Sequence, residues 1–167
     1  MTTDGILSIA QVYAWLAEIS DPEIPAVSIL DLGIVRDVIL VDDGREVSVT
    51  ITPTYSGCPA MDLISMQIRM ALMGRGIPKV TIELQLSPAW TTDWITEQGK
   101  ARMKAYGIAP PVRRAHQEPG LFEEDEIECP RCHSRHTEIV SQFGATSCKS
   151  LYRCLDCKEP FEHFKCH

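Results

Sequence analysis

Two Cys-x-x-Cys pairs, Cys129-Pro130-Arg131-Cys132 and Cys154-Leu155-Asp156-Cys157, stand near the end of a 167-residue chain. Pairs separated by about twenty residues can bring four thiols to the corners of a tetrahedron, with Zn–S distances near 2.3 Å. The feature is constraining because a segment of roughly forty residues rarely buries enough apolar surface to fold without a staple. It predicts a zinc-ribbon-like β domain over residues 128–167, with short strands at Glu138-Ile139-Val140 and Leu151-Tyr152 around a turn at Gly144. A closed four-sulfur site reads as structural zinc; an iron-sulfur cluster is the alternative, since thiolates hold one equally well. Cys148, Cys166 and the last residue, His167, are additional candidate ligands. They are either spare, replacements for a knuckle ligand, or partners of Cys58 in a second, more labile site, and spacing leaves all three open.

The chain has seven cysteines, an odd number that fits a disulfide framework poorly. Its first residues lack the basic, apolar, small-residue order of a signal peptide, and no apolar run approaches the roughly 18 residues needed to span a bilayer. A cytoplasmic location is therefore expected, where paired cysteines serve more often as metal or redox groups than as disulfides. The formal net charge of -7 argues against nucleic acid as main partner, because phosphate binding rests on clustered Lys and Arg.

Ahead of the tail the hydrophobic period switches between helix and strand. Ile9, Val12, Tyr13, Leu16 and Ile19 recur at helical spacing behind a capping box of Ser8 and Gln11. Asp21-Pro22-Glu23-Ile24-Pro25 stops that helix, since proline lacks an amide donor and restricts the residue before it. Ile34 to Val41, the turn Asp42-Asp43-Gly44-Arg45 and the alternating run Val47 to Thr52 read as a hairpin with one buried face. A second helix follows Pro59, with Met61, Ile64, Ile68 and Leu72 on its stripe and Gly74 and Gly76 at its end. Val80, Ile82, Leu84 and Leu86 alternate as a third strand, and Trp90 and Trp94 lead into a last helix finishing at Gly107. The order helix-strand-strand-helix-strand-helix predicts an α+β domain over 1–108, with helices on one face of a small mixed sheet. Residues 109–127, rich in proline and ending in Glu123-Glu124-Asp125-Glu126, read as a linker to the tail domain.

Cys58 is the thiol outside the tail. A helix starting at Pro59 would aim free amides and the positive dipole end at its sulfur, lowering its pKa toward the thiolate that a nucleophile or soft-metal ligand requires. The plainer reading is a small buried apolar residue. Met66, Met70 and Met73 read with Met61 as core or partner-contact filling.

Three motifs carry a resemblance. At Asp21-Pro22-Glu23-Ile24-Pro25, Asp31-Leu32-Gly33-Ile34-Val35 and Thr54-Tyr55-Ser56-Gly57-Cys58-Pro59, in that order, the chain resembles the SufT-like iron-sulfur cluster assembly domain family over roughly its first hundred residues. Through Ser87-Pro88-Ala89-Trp90-Thr91-Thr92-Asp93-Trp94, the knuckles, and Phe143-Gly144-Ala145-Thr146-Ser147-Cys148 it is also similar to a family of accessory subunits of phenylacetyl-CoA epoxidase. That complex is a multicomponent di-iron monooxygenase of aerobic phenylacetate catabolism. The resemblance implies a maturation factor, non-catalytic alone, that serves the di-iron centre or the reductase's iron-sulfur cluster. It makes Cys58 the cluster- or metal-handling residue, with Asp21, Glu23 and Thr54 around it. Iron or a cluster would be held transiently, and the oxygenase and reductase subunits, or a second copy of the chain, would be partners. A bridging subunit that only stabilises its neighbours is the competing expectation. A thiol-disulfide enzyme is a third, although its Cys-x-x-Cys normally sits at a strand-to-helix junction that this tail lacks.

Overall fold

The computed structural model describes residues 7–112 and 126–165, so Cys166, His167 and most of the expected linker lie outside the described residues. The chain divides into two compact units, Met1–Trp90 and Thr91–His167.

In the first unit, α1 (Ile9–Leu16) is closed by the capping box read from the sequence: Ser8 Oγ accepts from the Gln11 amide and Gln11 Oε1 from the Ser8 amide. Val12 and Leu16 are buried, and Ile19 follows them into the core. β1 (Val35–Val41) and β2 (Glu46–Ile51) pair antiparallel, while β3 (Lys79–Leu84) lies parallel to β2. The sheet is therefore mixed, in the order β1-β2-β3. Between the hairpin strands, Asp42, Asp43 and Gly44 all take positive φ, a conformation that Asp tolerates and glycine adopts freely. α2 (Ala60–Met73) crosses over from β2 to β3 with Met61, Ile64, Ile68 and Leu72 buried, the expected stripe. Met66, Met70 and Met73 face outward.

β3 is shorter than the alternation through Leu86 predicts: the strand ends at Leu84, and Leu84 and Leu86 are 57% and 64% exposed. The cause is position: β3 pairs with β2 alone and forms a sheet edge, so its far end gains no cover from a further strand.

The second unit holds a helix and a four-stranded sheet. Thr96 caps α3 (Glu97–Tyr106), which ends at Gly107 with φ 99°, the left-handed stop predicted there. Immediately afterwards β4 (Ile108–Ala109) joins the tail sheet by pairing parallel to β7 (Pro160–Phe164). Two residues read as the seam between domain and linker thus belong to the tail's architecture. The sheet order is β4-β7-β6-β5, with β5 at Thr137–Ser141 and β6 at Lys149–Cys154, on either side of the expected turn. Ala109, Ile127 and Phe161 pack with Cys129 and Cys154, and Tyr152 and Cys157 lie against them.

Candidate metal centre and thiol site

The two knuckles converge. Cys129, Cys132, Cys154 and Cys157 place their ligand atoms within 4.8 Å of one another, and among the described residues they are the one such group of three or more potential ligands. The Cys129–Cys157 and Cys132–Cys154 sulfur pairs are 3.8 and 3.5 Å apart. A tetrahedron with about 2.3 Å metal–sulfur bonds has edges of about 3.8 Å, so the spacing fits a single tetrahedral ion.

The backbone prepares the sulfurs in the same way on both sides. His133 and Lys158, each the residue after the second cysteine of its knuckle, have φ of 62° and 65°. That left-handed step turns the next amides back, so the Ser134 N–H reaches Cys132 and the Glu159 N–H reaches Cys157. Cys154 receives N–H groups from Cys157 and Asp156 and is drawn down to about 6, which favours its thiolate. The Glu159 amide works in the same sense on Cys157, yet burial and the neighbouring sulfurs push that thiol up to about 12. Four adjacent thiols cannot all ionise without a cation among them, the electrostatic signature of a metal cradle. A second tie joins the knuckles: the Ser134 hydroxyl donates to Asp156, whose other carboxylate oxygen lies 3.2 Å from His136 Nδ1. Cys148 does not join the set. It is buried, 3.0 Å from Thr146 Oγ1.

Cys58 sits at the start of α2, half-buried, with Pro59 at the N-cap and Ala60 as first helical residue. Its thiol is not activated as expected. Burial raises its pKa, and the carboxylates of Glu23 and Asp21 add to the rise, outweighing the Ala60 N–H and the Tyr55 side chain, which both stabilise the thiolate. The helix-end effect is real here but smaller than desolvation and like charge combined. Gly57, at φ 74°, has nothing within 4 Å of the position a Cβ would take, so the chain beside the thiol is open.

The surrounding residues come from two loops. Asp21 is buried, and its Oδ1 accepts the amides of Glu23 at 2.9 Å and Ile24 at 2.8 Å, fixing the turn that carries Glu23. Ser28 and Asp31 cap each other's amides in the next turn. Thr54 is half-buried in the bend before Cys58. Asp21 and Glu23 act on the thiol through their charge and are not drawn into a ligand cluster with it.

Residues 113–165 match the model of the PaaD zinc beta ribbon domain, and residues 9–84 match that of the iron-sulfur cluster assembly protein family. The chain is 47% identical to a putative 1,2-phenylacetyl-CoA epoxidase subunit of Escherichia coli (strain K12), over 93% of this chain and 92% of that one. It is 34% identical to an Fe-S protein maturation auxiliary factor of Porphyromonas gingivalis (strain ATCC BAA-308 / W83), over 59% of this chain and 92% of that protein. Among solved structures, a DUF59 domain of unknown function from Bacillus anthracis superposes with a TM-score of 0.52 at 25% identity, covering 56% of this chain and 89% of that one.

Proposed function

We propose, from the premise that this chain belongs to the PaaD family of 1,2-phenylacetyl-CoA epoxidase subunits, that it is an accessory maturation factor passing iron or an iron-sulfur cluster to a metal centre of that epoxidase. The observation that carries the reading is Cys58: a half-buried thiol beside an open glycine, within reach of the charge of two carboxylates, in the part of the chain that matches the assembly family. The carboxylates that disfavour a bare thiolate favour a cation. An arriving iron species takes the place of the sulfur's proton, which is released, and the negative charge of Glu23 and Asp21 then becomes attractive. One thiol completed by a recipient's own ligands is a weak holder, as transfer requires.

The tail has a different role in this reading. Its sulfur spacing suits one structural zinc, which folds residues around it rather than leaving with a client. The oxygenase and reductase subunits are the proposed partners, and the cytoplasm is the proposed location. Among the described residues no helix is long and apolar enough to cross a membrane.

The test is to co-express the epoxidase subunits with this chain or its Cys58→Ser variant and to quantify iron, cluster and turnover. Loss of iron or cluster loading with Cys58→Ser supports transfer. Equal loading overturns it and favours the second reading, a structural subunit that bridges its neighbours, for which the raised Cys58 pKa speaks.

A further inference from the structure

The end of the first sheet that carries Cys58 also carries apolar surface that the core does not use. β2, α2 and β3 form a parallel crossover, so the C-terminal ends of both strands and the N-terminus of α2 lie together. Ile51, the last residue of β2, pairs with Leu84, and the Gln85 amide extends the ladder to Ile51 O at 2.9 Å. Cys58 is seven residues beyond Ile51 on the connecting loop. Leu84 shares a sheet face with the buried Val80, and Leu86 continues its parity. Both leucines are more than half exposed. The segment holding them is braced: Gln85 Nε2 donates to Ser87 O at 2.9 Å, and the buried Trp90 donates its indole N–H to Leu32 O at 2.8 Å. A braced pair of leucines at a sheet edge is costly to leave in water, and the C-terminal end of a parallel crossover is where such folds place what they bind.

Deepening the transfer reading, we propose that Leu84 and Leu86 form the docking shelf for the iron recipient, and that the recipient is a protein offering an apolar segment flanked by Lys or Arg. The flanking chemistry follows from charge. Glu83, exposed, stands directly before Leu84 on β3, the Glu23 charge is felt at the thiol, and the chain carries a net charge of -7. A basic rim on the partner would be steered to this end, while its apolar centre covers the leucines. A second copy of this chain, equally acidic, would be repelled there.

The experiment uses the full chain, zinc-loaded, against each of the other epoxidase subunits purified singly, with binding read by biolayer interferometry. The Leu84→Ser/Leu86→Ser variant alters exposed side chains, and its circular dichroism and zinc content should match the parent. Its binding to one subunit should weaken by about 10-fold or more, the scale of losing two apolar anchors. Parent binding should also weaken as salt rises. Undiminished binding by the leucine variant overturns the proposal, as does parent binding to no subunit, or self-association that the leucine variant abolishes. Failure of the transfer reading would appear elsewhere, as Cys58→Ser leaving epoxidase iron unchanged.

Discussion

Asp156, inside the second knuckle, accepts a hydrogen bond from the hydroxyl of Ser134, two residues past the first. The carboxylate therefore ties the halves of the four-sulfur set together without touching a sulfur. His136 Nδ1 sits against its other oxygen, and both contacts hold the Asp156 pKa below its usual value. Outer-sphere ties of this kind orient ligands rather than supply them. Asp156→Ala should keep its zinc but surrender it to a chelator about 10-fold faster, followed with a chromogenic zinc indicator. Unchanged release would mean that the knuckles hold themselves.

Metal removal should act on the second unit selectively. Protein purified anaerobically should contain about one zinc per chain and no iron chromophore, as one closed tetrahedral site requires. Cys129 and Cys154 are core residues beside Ile127 and Phe161, so taking the ion away leaves unpaired thiols at the centre of the sheet. Hydrogen exchange after chelation should collapse protection in β5, β6 and β7 and leave β1 to β3 as they were. Retained protection in the tail would show that the ion is dispensable for its fold.

Cys58 should alkylate slowly at neutral pH. Because burial and two carboxylates favour the neutral thiol, its reaction with iodoacetamide should rise with pH to a midpoint above the ~8.5 of a free cysteine. Glu23→Gln removes one negative neighbour, stabilises the thiolate by comparison, and should move that midpoint down. Peptide mapping by mass spectrometry isolates the Cys58 signal. A midpoint below that of free cysteine would restore the activated thiolate expected from the helix start alone.

Lys149 is 3% exposed, and its ammonium lies 2.8 Å from Glu162 Oε2. The other oxygen of Glu162 accepts the Ala145 amide, which pins the loop between β5 and β6. Glu162→Ala leaves a buried cation without its partner and should cost about 2 kcal/mol of stability in urea unfolding of the zinc-loaded protein. Adding Lys149→Met should recover part of that loss. A double variant no better than the single one would place the cost in the loop rather than in the charge.

Most of the first unit was legible because its signals are local. The Ser8–Gln11 box, the Met61-Ile64-Ile68-Leu72 stripe and, in the second unit, the left-handed stop at Gly107 each depend on residues a few places apart, and each stands where the periodicity puts it. The four knuckle cysteines were legible for the same reason. Long-range balances were not. Whether Leu84 is covered depends on which strand lies at the edge, and the state of Cys58 depends on carboxylates more than thirty residues upstream meeting a desolvated sulfur. Nothing within a turn of either residue records those facts.

The pairing of β4 with β7 makes the ribbon a discontinuous piece of the chain. A fragment begun at residue 128 would keep all four knuckle thiols and still lack the outermost strand of its own sheet, leaving Glu162 and His163 as a raw margin ready to recruit a neighbour's backbone. Conversely, a protease cut between Val112 and Glu126 would sever the polypeptide without freeing the tail, since Ile108 and Ala109 would remain hydrogen-bonded to it across the nick. The tail's border in sequence and its border as a cooperative object are therefore different places.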